Sequence, residues 1–413
     1  MVSNIAVKKR FFMKDTIMMF GPAWLAMMAD MDVSSYIGAA QTGATLGYGL
    51  IWVMLILIIP LYTVQELAGR ISIATKNGLG TVVRRNYGTK IASVVAFPMA
   101  LTDIITYGIE YIGIGIGLEI IGISLFYSIP VVYVIHIAII TRRKYSQAEK
   151  PLILISLILV ISLLISLFYR GIIPFSSPLE NPILLVPTYS FFFLLAANVG
   201  AVIMPFMIFF QASATGMKLR ELENGGFTVG RRRSVRIMRK ETLIGAISTE
   251  TLMIIAEMAF TGIPRAANSS FFASPVELGQ VLAPIAGTFS PYVFGIGIIA
   301  AGFVALITIS MGSAWGVAEA LGISEKSYWI LYVLESLPAV VAVLVIDPSN
   351  MIGIVLYLLI FFVFALIAPM IMLWLIGRNR KIMGNLVLSP ANQAVYLLMF
   401  ILIVSTAVSA VVM

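Results

Sequence analysis

Residues 20–40 read FGPAWLAMMADMDVSSYIGAA. The run is long enough to cross the hydrocarbon core of a bilayer, about 30 Å thick and needing roughly 20 apolar residues. Two acids, Asp30 and Asp32, sit near its middle and are followed by Val33-Ser34-Ser35 and Gly38. An uncompensated carboxylate at that depth costs roughly 2.5–3.5 kcal/mol on insertion scales, so an acid kept in a span marks a functional site. Handling of a cation is the expectation.

The rest of the chain has the same solvent. Of 413 residues, 60% are hydrophobic and 11% charged, and the mean hydropathy is +1.02. A soluble domain of this size would need far more polar surface. Eleven candidate spans follow, at 17–40, 48–70, 91–121, 124–141, 151–170, 187–216, 241–263, 291–321, 328–346, 351–376 and 391–413. With the amino terminus cytoplasmic, every one of the 27 Lys and Arg residues except Arg170 and Arg265 falls on the inner side. That asymmetry supports both the span count and the direction. The net charge of +8 therefore reports topology and contact with an anionic bilayer surface, not nucleic acid, and the cluster Arg231-Arg232-Arg233 is read the same way. Cysteine is absent, which excludes disulfides and thiolate metal sites. The amino terminus has no small-residue cleavage site after its first apolar run, so that run is an uncleaved first span.

Two spans carry interruption signals. Ser34, Ser35 and Gly38 follow Asp32 in the first, and Asn198, Gly200 and Met204-Pro205 interrupt the sixth. Pro205 removes a helical hydrogen bond and frees carbonyls near Ala201. Irregular backbone at membrane depth is tolerated only where protein buries it or water reaches it. Breaks in the first and sixth spans are what a five-plus-five inverted repeat requires, with the substrate between them. The expected organisation is a single domain, 1–413, with repeats at 17–171 and 187–376 and an added helix at 391–413. Asp32 offers a carboxylate, Ser35 a hydroxyl, Ala201 a freed carbonyl and Met204 a thioether. Oxygen alone suits magnesium or calcium, and a thioether shifts preference toward manganese(II) or iron(II).

These segments resemble the natural-resistance-associated macrophage protein (Nramp) family of divalent metal transporters. The similarity runs from Gly21-Pro22 through Gln41-Thr42-Gly43-Ala44 to Trp52, then Gln65 to Arg70 with Asn77-Gly78-Leu79, Thr102-Asp103, Gly200 to Pro205, Phe294-Gly295 to Gly302, and Arg380 to Gly384. Departures fall on functional positions. The family's D-P-G-N in span one reads Asp32-Val33-Ser34-Ser35, its M-P-H in span six reads Met204-Pro205-Phe206, and its D-L-A-E in span three reads Asp103-Ile104-Ile105-Thr106, with Glu110 one turn further along. Span ten has no Gln between Met351 and Phe364.

The resemblance implies an all-α membrane protein of the LeuT-like kind, with helices 1 and 6 broken, moving manganese- or iron-like ions by alternating access in the plasma membrane. Asp32, Ser35, Met204 and the carbonyls of Ala201 and Ala29 would hold the ion, which is substrate; no cofactor is expected. Asp30, Asp103 and Glu110 are candidates for a proton pathway, and proton symport is left open. Two alternatives stand beside this reading. Retained hydration at the small Ser35 favours a magnesium carrier without proton coupling, and an organic cation or amino acid carrier fits the same architecture. A membrane sensor would need a signalling domain that the Lys218–Lys240 loop is too short to hold. No nucleophile elbow or phosphate loop suggests an enzyme. His136 reads as a hydrogen-bonded packing residue. Glu66, Glu250, Glu257, Glu319 and Glu335 are second-rank acids.

Overall fold

The computed structural model describes residues 15–141, 145–170, 188–274, 277–278 and 289–412. The described residues are almost wholly helical: α1 (Pro22–Met28), α2 (Val33–Leu46), α3 (Ile51–Thr75), α4 (Leu79–Tyr87), α5 (Thr89–Ile120), α6 (Leu125–Ile140), α7 (Tyr145–Arg170), α8 (Tyr189–Val202), α9 (Pro205–Asn224), α10 (Arg231–Phe260), α11 (Ser290–Leu321), α12 (Tyr328–Val345), α13 (Pro348–Gly353), α14 (Val355–Gly377), α15 (Arg380–Met383) and α16 (Pro390–Val412). Helix is what a chain in hydrocarbon must form, because it satisfies its backbone within the segment.

Nine helical stretches among the described residues are long and apolar enough to cross a bilayer, α8 and α9 counting together as one. The remaining two expected spans are shorter pieces: α6, with 16 residues, and the first span, divided into α1 and α2. The eleven-span reading therefore maps onto the helices with one shift. The break in the first span lies at residues 29–32, and Ser34, Ser35 and Gly38 are helical. The acids themselves occupy the unwound stretch.

Basic residues gather where the ends of α3, α9 and α11 meet the starts of α10 and α12. Lys76 pairs with Glu223 at 2.6 Å, Arg220 with Glu325 at 3.2 Å, and Arg239 with Glu66 at 2.6 Å, the last also held by Arg70. Arg265 lies at the other end, beyond α10. Lys8, Lys9, Arg10, Lys14 and Arg142 to Lys144 lie outside the described residues.

The core is the bundle α2, α5, α8, α9, α10 and α11, and exposed Ile and Leu lie on the outer helices, as in Ile135, Leu154 and Leu334. With no hydrophobic force between helices in lipid, close packing has to come from small residues. A Cβ at Gly200 would stand 1.8 Å from the Leu359 carbonyl oxygen of α14, and one at Gly43 would stand 1.9 Å from that of Glu257 in α10. These two glycines let the broken helices lie against their neighbours. Gly200→Ala and Gly43→Ala should each cost about 1–3 kcal/mol through forced separation, read as a lowered thermal midpoint in detergent. Gly353→Ala, where a Cβ meets nothing within 4 Å, should leave the midpoint unchanged.

Candidate metal site

The first break is built by substituting side chains for lost backbone partners. In a continuous helix the Val33 amide would donate to the Ala29 carbonyl. Here it donates to Oε2 of Glu110 on α5, at 3.1 Å. Asp32 is the N-cap of α2, in extended conformation, and its Oδ1 accepts the Ser35 amide at 2.7 Å. The Ser34 hydroxyl contacts both Asp32 oxygens, at 2.8 and 2.9 Å. Such a cap satisfies one of the amides that a helix start leaves orphaned. The Ala29 carbonyl is thereby left to serve something other than the helix.

The second break is built by Pro205. Lacking an N–H, it cannot serve the Ala201 carbonyl, and Pro205 opens α9 after the extended residues Ile203 and Met204. The Met204 side chain is fully buried, as is that of Phe206. The two breaks meet where the Ser35 hydroxyl approaches the Ala201 carbonyl, at 3.5 Å. A second tie runs from Asn198 Nδ2 to Thr42 Oγ1, at 2.7 Å. Of the five residues read as ligands, Asp32, Ser35 and Ala201 are thus brought together directly. Ala29 and Met204 occupy the same two unwound stretches.

Neither Asp32 nor any other carboxylate forms a group of three or more Asp, Glu or His placed to hold a metal ion among the described residues. The donor set is one carboxylate, a hydroxyl, freed carbonyls and a thioether. That set suits a divalent ion that keeps part of its water, with sulfur favouring manganese over magnesium.

The other sequence-predicted acids separate into distinct roles. Glu110 is a partner of the break itself, a role its helix position did not reveal. Asp30 lies on the opposite side of the unwound stretch, its Oδ2 accepting from Thr249 at 3.4 Å and its charge facing Glu250 on α10. Asp103 lies against Glu335 on α12, one of the second-rank acids. His136 is held by Tyr111 and Ser310, both at 2.7 Å, and is a packing residue as expected.

On one side a cavity of about 600 Å³ is lined by Gln41, Phe193, Arg265, Asn268, Glu277 and Tyr357. At the opposite end α1 is fastened: Glu241 accepts the Gly21 and Trp24 amides at 2.7 and 2.9 Å, and the Trp24 indole donates to Ser156 at 3.0 Å. Lys218 joins the Phe20 carbonyl to Glu149 beside them.

The family described as natural resistance-associated macrophage protein-like matches residues 23–413. A divalent metal cation transporter, MntH, of Klebsiella pneumoniae is 25% identical over 384 residues, covering 91% of this chain and 89% of the relative. The MntH of Yersinia pestis is 23% identical over 408 residues, covering 97% and 96%. The crystal structure of a manganese transporter of Eremococcus coleocola superimposes with a TM-score of 0.78 at 16% identity, covering 96% of this chain and 86% of that one.

The Glu110–Val33 bond makes a test that separates structure from charge. Glu110→Gln keeps a carbonyl oxygen for the Val33 amide and should retain near wild-type stability. Glu110→Ala leaves a buried amide unpaired and should cost about 1–3 kcal/mol, seen as a drop in thermal midpoint for the alanine variant alone.

Proposed function

We infer function from membership: this chain belongs to the natural resistance-associated macrophage protein (Nramp) family, and it is an integral membrane transporter that moves divalent metal cations by alternating access. It is not an enzyme, and the metal is its substrate. The observation that carries the reading to particular residues is the meeting of the two breaks, Asp32 and Ser35 on one side and Ala201 and Met204 on the other. The printed names of the relatives, divalent metal cation transporters and a manganese transporter, support the same substrate class.

In this reading the ion sits between the Asp32 carboxylate, the Ser35 hydroxyl, the carbonyls of Ala201 and Ala29, and the Met204 sulfur. A divalent charge entering beside Asp32 is felt by Glu110, Asp30 and Asp103, each of which interacts electrostatically with Asp32. These three acids are the candidate proton pathway that this reading carries. The protein resides in the plasma membrane with its amino terminus in the cytoplasm, the orientation that puts the basic end of the bundle inside. Opening toward the cytoplasm requires α1 to leave Glu241, Ser156 and Lys218. The repeats are 17–171 and 187–376, each beginning with a broken span.

Asp32→Ala should abolish manganese uptake into proteoliposomes, and uptake at the wild-type rate would remove the assignment. Met204→Ala should weaken manganese binding by about tenfold, ~1.4 kcal/mol, with magnesium binding unchanged in isothermal titration. An equal loss for both ions would show that the sulfur does not select.

A further inference from the structure

We propose that the start of α10 binds one anionic phospholipid at a defined place, with its phosphate on Arg231, Arg232 and Arg236 and an acyl chain along Leu243, Ile244 and Ile247. Charge asymmetry alone would spread anionic lipid over the whole basic end of the bundle. The structure gives one part of that end both a head site and a tail track.

The head site is a cavity of about 540 Å³ lined by Arg231, Arg232 and Arg233 from α10 and by Met383 and Asn385 from the segment that begins with α15. The acids beside the cluster are already engaged. Asp15 holds Arg233 at 2.8 Å, and Glu66 holds Arg239 at 2.6 Å together with Arg70. Among the described residues no salt bridge involves Arg231, Arg232 or Arg236, and all three are exposed. Their planar guanidinium forks match two phosphate oxygens at once, which an ammonium does not. The backbone adds to this field. Gly230 starts the 30-residue α10 without a side-chain cap, and no acid lies in its first turn, so the positive end of the helix dipole is left to a ligand.

The tail track is what distinguishes a lipid from a free phosphate. Arg232, Arg236 and Lys240 follow one another at four-residue intervals on α10, one above the other, and all are exposed. The same face continues into Leu243, Ile244 and Ile247, which are 43%, 58% and 47% exposed. Val235, Met238, Thr242 and Gly245, on the opposite face, are buried in the protein. From Arg236 to Ile247 the helix rises about 16 Å, roughly half of a hydrocarbon core about 30 Å thick. A phosphate held by Arg236 therefore stands over an apolar strip the length of one leaflet.

Binding is the readout, so the test is independent of what the chain transports. With the purified full chain in detergent at fixed ionic strength, phosphatidylglycerol added to the micelles should raise the thermal midpoint saturably. Phosphatidylcholine, and soluble glycerol 3-phosphate at the same concentration, should not. The double variant Arg232→Gln, Arg236→Gln should weaken the phosphatidylglycerol dependence by about tenfold or more, ~1.4 kcal/mol. Arg236→Gln alone should weaken it by about threefold and serves if the double variant does not fold. The control is Arg85→Gln with Lys90→Gln, which removes two exposed charges elsewhere, at α4 and the start of α5, and should leave the dependence within about twofold. Absence of a phosphatidylglycerol shift in the wild type overturns the proposal. So does an equal loss in the control, which would mean general surface charge, or an equal shift with glycerol 3-phosphate, which would mean a free anion.

Discussion

An unwound backbone inside a bilayer has to find partners for its amides, and here one carboxylate answers that need while another is aimed by it. Glu110 takes the Val33 amide in place of the Ala29 carbonyl, and Asp32 takes the Ser35 amide as an N-cap. The break cannot close into helix while Glu110 holds that amide. The same two contacts fix where the Asp32 carboxyl and the Ala29 carbonyl are presented. The geometry of the break is thus a by-product of satisfying a peptide chain in a solvent that offers no hydrogen bonds.

Around this point the chain departs from its family in ways that have physical meaning. Ser35 carries a short hydroxyl that reaches toward the Ala201 carbonyl at 3.5 Å. Phe206 is fully buried where the family places an imidazole, so no proton can be carried from that position. The sulfur of Met204, by contrast, is retained at the start of α9 inside the core.

The buried acids differ in their partners. Glu66 is neutralised by Arg70 and Arg239, Glu319 accepts from Ser213 at 2.7 Å, and Glu241 caps α1; all three lie toward the basic end. Deeper in, Asp30 faces Glu250 and Asp103 faces Glu335, and among the described residues none of the four forms a salt bridge.

The sequence by itself determined the solvent, the helical class, the span order and which two spans are broken. Each of these is a local property: apolar length, proline, and acids where none belongs. It also singled out Asp32, Ser35, Ala201 and Met204, because breakers and donors lie within a few residues of one another, and it read His136 as a packing residue. Pairings between spans far apart in sequence were decided only by the tertiary structure. Nothing near Glu110 announces that its acceptor role is at Val33, 77 residues away, and nothing near Glu335 announces Asp103. Even the position of the first break moved back from Ser34–Gly38 to residues 29–32, since the end of a helix is set by which neighbouring helix offers its amides a partner.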